Sequence, residues 1–180
     1  MGVGVAGIVM AGGRSSRMGQ NKALMLYRGR KLIDLAQEHL RMAGVWEIFI
    51  SGAVEGYTCL PDTAPGFGPA QALVRLAEDF EAFESLLVIP VDMPLLTGDI
   101  LKVLLHKKEG AFYAEHFLPA HIPLAKLKKP VTNPAGGKGL SIRSLLGQTG
   151  IKSIPLPAGE ESFFLNVNTP EDFSRLTGMQ

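Results

Sequence analysis

Residues 5–10 are an unbroken apolar run that stops at Ala11-Gly12-Gly13. A run without polar alternation predicts a strand buried on both faces, as in a parallel sheet. A polar, basic, glycine-rich stretch at 12–21 reads as loop, and Gly29 marks a turn. Over 31–42, Leu32, Leu35, Ala36 and Leu40 recur at helical spacing, with Ala43 continuing the face and Gly44 as the stop. His39 on this helix reads as exposed. Residues 46–51 predict a second strand, with Trp46 in the core. A brief apolar piece follows at 57–60, and the Gly and Pro of 62–69 require loop. The stretch 69–80 predicts a helix with Pro69 in its first turn. Residues 86–91 predict a further buried strand, ending on Asp92-Met93-Pro94. Thr97 is the expected cap of a helix over 98–106, with Asp99 in its first turn.

Strands and helices alternating in this order predict an α/β fold with a doubly wound, mostly parallel sheet. The second half is less regular. Residues 111–114 read as a short strand, while 117–134 carries Pro and Lys and has no clear assignment. A helix is expected over 139–146, carrying Ser141 and Arg143. Strands are expected at 151–156 and 163–167, then Thr169 as a cap with Pro170 at the first helical position. There is no internal repeat and no clean domain boundary.

Composition narrows the class. The chain has 180 residues, 46% hydrophobic and 19% charged, which suits one folded domain. Its net charge of +1 gives no bulk drive toward nucleic acid or an anionic membrane, so neither is an expected partner. The one cysteine, Cys59, forms no intrachain disulfide and fits a reducing compartment. The apolar start is too short for a membrane span and lacks the basic region of a secretion signal. The expected location is the cytoplasm.

Candidate chemistry concentrates in three places. In the segment AGGRSSRMGQNK at 11–22, the glycines let backbone approach a ligand, and Arg17 and Lys22 supply positive charge for a triphosphate. The spacing is neither that of a P-loop, where Lys follows the last Gly directly, nor that of the dinucleotide fingerprint. An ordinary surface loop has the same composition. Asp92 directly follows a buried strand, where open α/β sheets bind ligands, and a carboxylate there suits Mg²⁺; capping its own turn is the alternative. Asp62 suits a ribose, a base edge or metal-bound water, or an Asx turn. Asn166 and Asn168 lie at the end of a late expected strand, where a neutral oxygen can complete a magnesium shell. Alternatively, Asn168 helps to cap the helix at Pro170. His106, His116 and His121 lack the paired spacing of a zinc site.

Five segments together resemble the molybdenum cofactor guanylyltransferase family, within the Rossmann-like sugar-nucleotide and cofactor nucleotidyltransferases: AGGRSSRMGQNKALM at 11–25, Pro61-Asp62, Gly68-Pro69 opening a helix, VDMPLL at 91–96, and NVNTPEDF at 166–173. The resemblance touches both ends of the chain and is weakest over 107–150. It implies a three-layer fold in a single domain spanning 1–180, with a nucleotide-binding part at about 1–106 and an acceptor-binding part at about 107–180. It implies a magnesium-dependent transfer of GMP from GTP to molybdenum-loaded molybdopterin, releasing pyrophosphate. Arg17, Lys22 and Asp92 then match the catalytic residues. Ala11, Gly12, Gly13, Asp62, Gly68 and Pro69 join them around the nucleotide. Asp92 and Asn168 match the metal site, and Asn166 and Asn168 the acceptor site. Two departures stand out: Asn21 replaces the usual Asp before the Lys, and Ala70-Gln71-Ala72 replaces a Leu-Ala-Gly continuation.

The implied chemistry is in-line attack by an acceptor phosphate oxygen on the α-phosphorus, with orientation and charge neutralisation as the protein's work. The alternatives are a related cytidylyltransferase, a sugar-phosphate nucleotidyltransferase, or a non-catalytic nucleotide-binding assembly protein. The expected partners are GTP, the phosphorylated pterin, and cofactor-synthesis or recipient proteins, with the chain a monomer or weak homo-oligomer.

Overall fold

The computed structural model describes residues 4–12, 21–60, 68–128, 131 and 139–178. The apolar runs form the expected strands β1 (Val5–Met10), β4 (Glu47–Ser51) and β5 (Ser85–Pro90), and the helical periodicities form α1 (Leu32–Met42), α2 (Pro69–Asp79) and α3 (Gly98–Leu105). A two-stranded ribbon, β2 (Leu26–Tyr27) with β3 (Arg30–Lys31), leads into α1. Beyond α3 come β6 (Ala111–Tyr113), β7 (His116–Pro123), the short α4 (Leu124–Leu127), α5 (Ile142–Thr149), β8 (Lys152–Ile154) and α6 (Pro170–Gly178).

Six strands make one sheet in the order β4-β1-β5-β7-β6-β8. β1 pairs in parallel with both β4 and β5. β7 runs against both of its neighbours, pairing antiparallel with β5 and β6, while β6 and β8 are parallel. Alternate residues of each strand face opposite layers. Ala6, Ile8, Leu86, Val88, Ala120 and Ile122 pack with α2, α4 and α5. Val9, Leu87, Ile89, Ala111 and Tyr113 pack with α1, α3 and Phe164. Both faces of β1 and β5 are therefore buried, which is why their sequences show no alternation.

The second half departs from expectation in three ways. The unassigned stretch contains all of β7 but His116, and its prolines and histidines hide a strand that is nonetheless central to the sheet. The strand expected at 163–167 is instead a 3₁₀ turn, Glu161–Phe164. Phe164 turns into the core against Tyr113, ring centroids 5.0 Å apart, and Val167 gives its N–H to the Asp92 carbonyl at 2.8 Å. The helix expected at 139–146 starts later, because Ser141 caps it through a bond from the Ser144 N–H. In the first half, Trp46 is not in the core: it is 74% exposed, and the neighbouring Val45 takes the buried place beside Gly7.

Candidate active site at the carboxyl end of the sheet

β1 and β5 both end at the same edge of the sheet, and each hands the chain to a polar segment. Beyond β1, residues 13–20 lie outside the described structure, so Gly13 and Arg17 have no described position; the same holds for Asp62. The chain is described again at Asn21. Its side-chain Oδ1 accepts the Ala23 N–H at 3.1 Å and starts a 3₁₀ turn, Lys22–Leu24. That turn directs Lys22 across the end of β1 toward β5.

Asp92 sits two residues past β5. The Lys22 ammonium donates to Asp92 Oδ2 at 3.1 Å and to Asn168 Oδ1 at 2.7 Å. Side-chain exposures of 16% for Lys22 and 21% for Asp92 leave the pair partly shielded yet reachable by a ligand. Residues separated by 70 and 146 positions in sequence thus meet at one point. The Asp92 carboxylate faces Lys22 across the sheet edge.

Asn168 is delivered by two local devices. The Val167 N–H to Asp92 carbonyl bond docks the strand-like segment against the end of β5. Thr169 then caps α6: its Oγ1 accepts the Asp172 N–H at 3.1 Å, and Asp172 Oδ2 accepts from the Thr169 and Asn168 N–H groups at 2.9 and 3.0 Å. This reciprocal capping occupies Thr169 and the Asn168 backbone, and leaves the Asn168 amide for Lys22. Asn166 is exposed on the same segment and is not among the groups that meet at Lys22.

The Asp92 and Asn168 oxygens that converge on the ammonium are hard donors, and they fit a magnesium ion that keeps part of its water shell. Among the described residues no group of three or more His, Cys, Asp and Glu side chains could hold a metal by itself. The Asp92 turn is also buttressed from below. Half-buried His39 on α1 lies 3.2 Å from the Pro94 carbonyl, and burial lowers its pKa from 6.5. His39 therefore belongs to the support of the turn and is not the exposed helix residue its sequence suggested.

At the start of α2 the chain passes close to the backbone of 139–140. Gly68 holds φ at +85°, and a Cβ there would meet the Leu140 carbonyl oxygen at 3.1 Å. Glycine is required for that approach, and Pro69 follows at the first helical position. Ala70, where the resemblance led us to expect a different residue, is fully buried. Three residues that the sequence did not single out also serve the site: Ser51, Gly52 and Ala53, at the end of β4 and just after it. The Ser51 carbonyl accepts the N–H groups of Ala11 and Gly12 at 2.8 and 3.0 Å. A Cβ on Gly52 would lie 2.5 Å from the Gly12 nitrogen. Gly52 directly after an apolar strand repeats the signal of Gly12 after β1, and that parallel was the available clue.

Comparison with known proteins identifies the family and the fold. A model of the MobA-like NTP transferase domain matches residues 7–149. The molybdenum cofactor guanylyltransferase of Xanthomonas euvesicatoria pv. vesicatoria is 37% identical over 175 residues, spanning 94% of this chain and 93% of that protein. Among solved structures, molybdopterin-guanine dinucleotide biosynthesis protein A from Archaeoglobus fulgidus superposes with a TM-score of 0.72 at 19% identity, over 97% of each chain. The 2-C-methyl-D-erythritol 4-phosphate cytidylyltransferase from Thermus thermophilus gives 0.67 at 16% identity, over 99% of this chain and 98% of that one. At these identities the two structures speak for the shared Rossmann-like nucleotidyltransferase fold, and a fold alone does not fix the base or the acceptor.

Proposed function

The chain belongs to the MobA-like NTP transferase family, and on that premise we propose that it is a molybdenum cofactor guanylyltransferase. It transfers GMP from GTP to molybdenum-loaded molybdopterin, giving the guanine dinucleotide and pyrophosphate. The observation that carries the reading is the meeting of Lys22, Asp92 and Asn168 at the carboxyl end of the sheet. It supplies a cation for phosphate and two oxygens for a metal where α/β sheets bind ligands.

A terminal phosphate oxygen of the acceptor attacks the α-phosphorus of GTP in line. The new O–P bond forms as the bond to the bridging oxygen breaks, and pyrophosphate leaves with that oxygen. The nucleophile is already anionic, so the protein needs no strong base. Lys22, released from its two oxygen partners, neutralises charge on the triphosphate and the leaving pyrophosphate. Gly12 and the start of α2 let backbone come close to the nucleotide. Asp92 and Asn168 would hold Mg²⁺, which would supply charge neutralisation when bound. Arg17 and Asp62 keep the phosphate and nucleotide roles that the family resemblance implies, as does Gly13 in the loop. Asn166, exposed beside Asn168, is assigned to the acceptor. The division into a nucleotide part before about residue 106 and an acceptor part after it follows from this reading, with both in one domain working in the cytoplasm.

The test is pyrophosphate release with Mg²⁺, each of the four NTPs, and molybdenum-loaded molybdopterin. Acceptor-dependent release with GTP alone is the expected result. Preference for CTP would retain the chemistry and change the product, in keeping with the substituted Ala70-Gln71-Ala72. No release with any NTP, using acceptor proven intact with a known active enzyme, would overturn the assignment.

A further inference from the structure

The Asn21 side chain bonds in two directions to backbone at the edge of the site. Its Oδ1 accepts the Ala23 N–H at 3.1 Å, and its Nδ2 donates to the Ala53 carbonyl at 3.0 Å. The two partners fix the amide's orientation, since a backbone N–H needs the oxygen and a carbonyl needs the NH₂. The residue that follows is Lys22. Its own carbonyl accepts the Met25 N–H at 3.1 Å, so the turn is closed on both sides of the lysine.

The anchor is as informative as the residue. Ala53 belongs to the same short segment whose Ser51 carbonyl holds Ala11 and Gly12. Gly52 between them has φ at +137° and lies against Gly12 closely enough to exclude a side chain. Gly12 and Asn21, the described residues on either side of 13–20, are therefore fixed to one point at the end of β4. A substituent that breaks the Nδ2 bond removes the lysine side's tie to Ala53 while leaving the Gly12 end attached.

We propose that Asn21 is a positioning residue, whose amide tethers the Lys22 turn to Ala53 and so holds the Lys22 ammonium between Asp92 and Asn168. In this chain both halves of the amide are engaged. A carboxylate at this position keeps the acceptor for Ala23 but offers no donor to Ala53, and sets an oxygen against an oxygen. The inference rests on reading Lys22 as the phosphate-binding cation, but its first test needs no nucleotide.

In that test, ligand-free protein is treated with an amine-acylating reagent and modification of each lysine is followed by mass spectrometry. Lys22 in the parent, engaged with Asp92 and Asn168, should react slowly. Asn21→Ala and Asn21→Asp should each raise its rate severalfold while exposed Lys152 reacts as before. The second test is a double-mutant cycle on the Kd for Mg·GTP. Loss of one tethering bond should weaken binding about fivefold in Asn21→Asp, and the same substitution should cost nothing further in a Lys22→Ala background. Equal losses in both backgrounds, or unchanged Lys22 labelling in either folded variant, would overturn the proposal. Should Asn21→Ala fail to fold, Asn21→Asp retains the Ala23 cap and carries both tests. If the parent binds no nucleotide, the functional reading fails, while the labelling still decides whether Asn21 positions Lys22.

Discussion

Two polar clusters bridge elements of this sheet, and they are built to opposite ends. At the carboxyl edge, Lys22 meets Asp92 and Asn168, with 16% and 21% of the ion pair's side chains exposed. In the middle of the sheet, β7 brings His121 to Ser85 of β5, and both residues are buried at 5% and 7% exposure. There the imidazole Nδ1 lies 3.1 Å from the Lys107 carbonyl and Nε2 lies 2.9 Å from the Ser85 hydroxyl. The carbonyl can only accept, so Nδ1 carries the hydrogen and Nε2 accepts from the serine. Burial lowers the His121 pKa from 6.5 and favours this neutral form. The interior cluster is neutral with every ring nitrogen paired, as a dry site demands. The edge cluster pairs charges that an incoming ligand can separate. One arrangement suits stability, and the other leaves its partners open to exchange.

That contrast breaks most sharply at Asp92. Asp92→Asn keeps the shape of the side chain but removes its charge. We expect turnover to fall about a hundredfold, equivalent to ~3 kcal/mol in the transition state. The melting temperature should move by no more than about 2 °C, since the group is near the surface and its loss leaves no cavity. Pyrophosphate release and thermal unfolding of the same preparation check both halves. A large fall in melting temperature would make Asp92 structural.

The reverse experiment is His121→Leu. It removes the imidazole and strands the Ser85 hydroxyl and the Lys107 carbonyl in the interior, at a cost of about 2 kcal/mol. For a chain of this length that corresponds to a fall of roughly 4–8 °C in melting temperature. Turnover per folded molecule should stay within about twofold of the parent. If turnover collapsed while the protein remained folded, the interior cluster would be coupled to the edge, and the contrast between them would not hold.

The two clusters also differ in how far the sequence announced them. Asp92 was visible because it interrupts a buried apolar run at the one end of a strand where ligands bind. Lys22 was visible from its glycines. What brings them together was not: Asn168 reaches Lys22 only because Val167 bonds to the Asp92 carbonyl and Thr169 with Asp172 takes over the helix cap. The Val167–Asp92 bond joins segments far apart in the chain, and no local period encodes it; the Thr169 cap is local and was legible in the sequence. β7 was missed for a related reason. Its prolines and buried His121 break the apolar pattern, and their cost is offset by partners on β5 and before β6 that appear only once the sheet is assembled. Phe163 to Val167 read as a strand because aromatic and β-branched residues cluster there. In the fold, Phe164 is drawn into the core against Tyr113 and the segment never joins a ladder. The parallel strands β1 and β5, covered by helices on both faces, imposed the simplest pattern and were the easiest to read.

The smallest expected effect sharpens the difference through pH. Burial depresses the pKa of both His121 and His39 below 6.5 in the folded chain. The unfolded chain then binds more protons than the folded one in the window below 6.5, so stability must rise with pH there. The contribution is complete above about pH 7 and is lost as pH falls from 6.5 toward the lowered folded values, below which it levels off. Melting temperature measured from pH 7.5 down to pH 5 should therefore be flat at first and then decline. In His121→Leu the decline should be shallower, because the buried imidazole is gone and, of the two histidines with lowered pKa, only half-buried His39 remains to be protonated. An equal decline in parent and variant would mean that His121 is not the neutral, desolvated group its two bonds describe. It would then have to exchange with water, and the interior cluster would share the openness that distinguishes the edge.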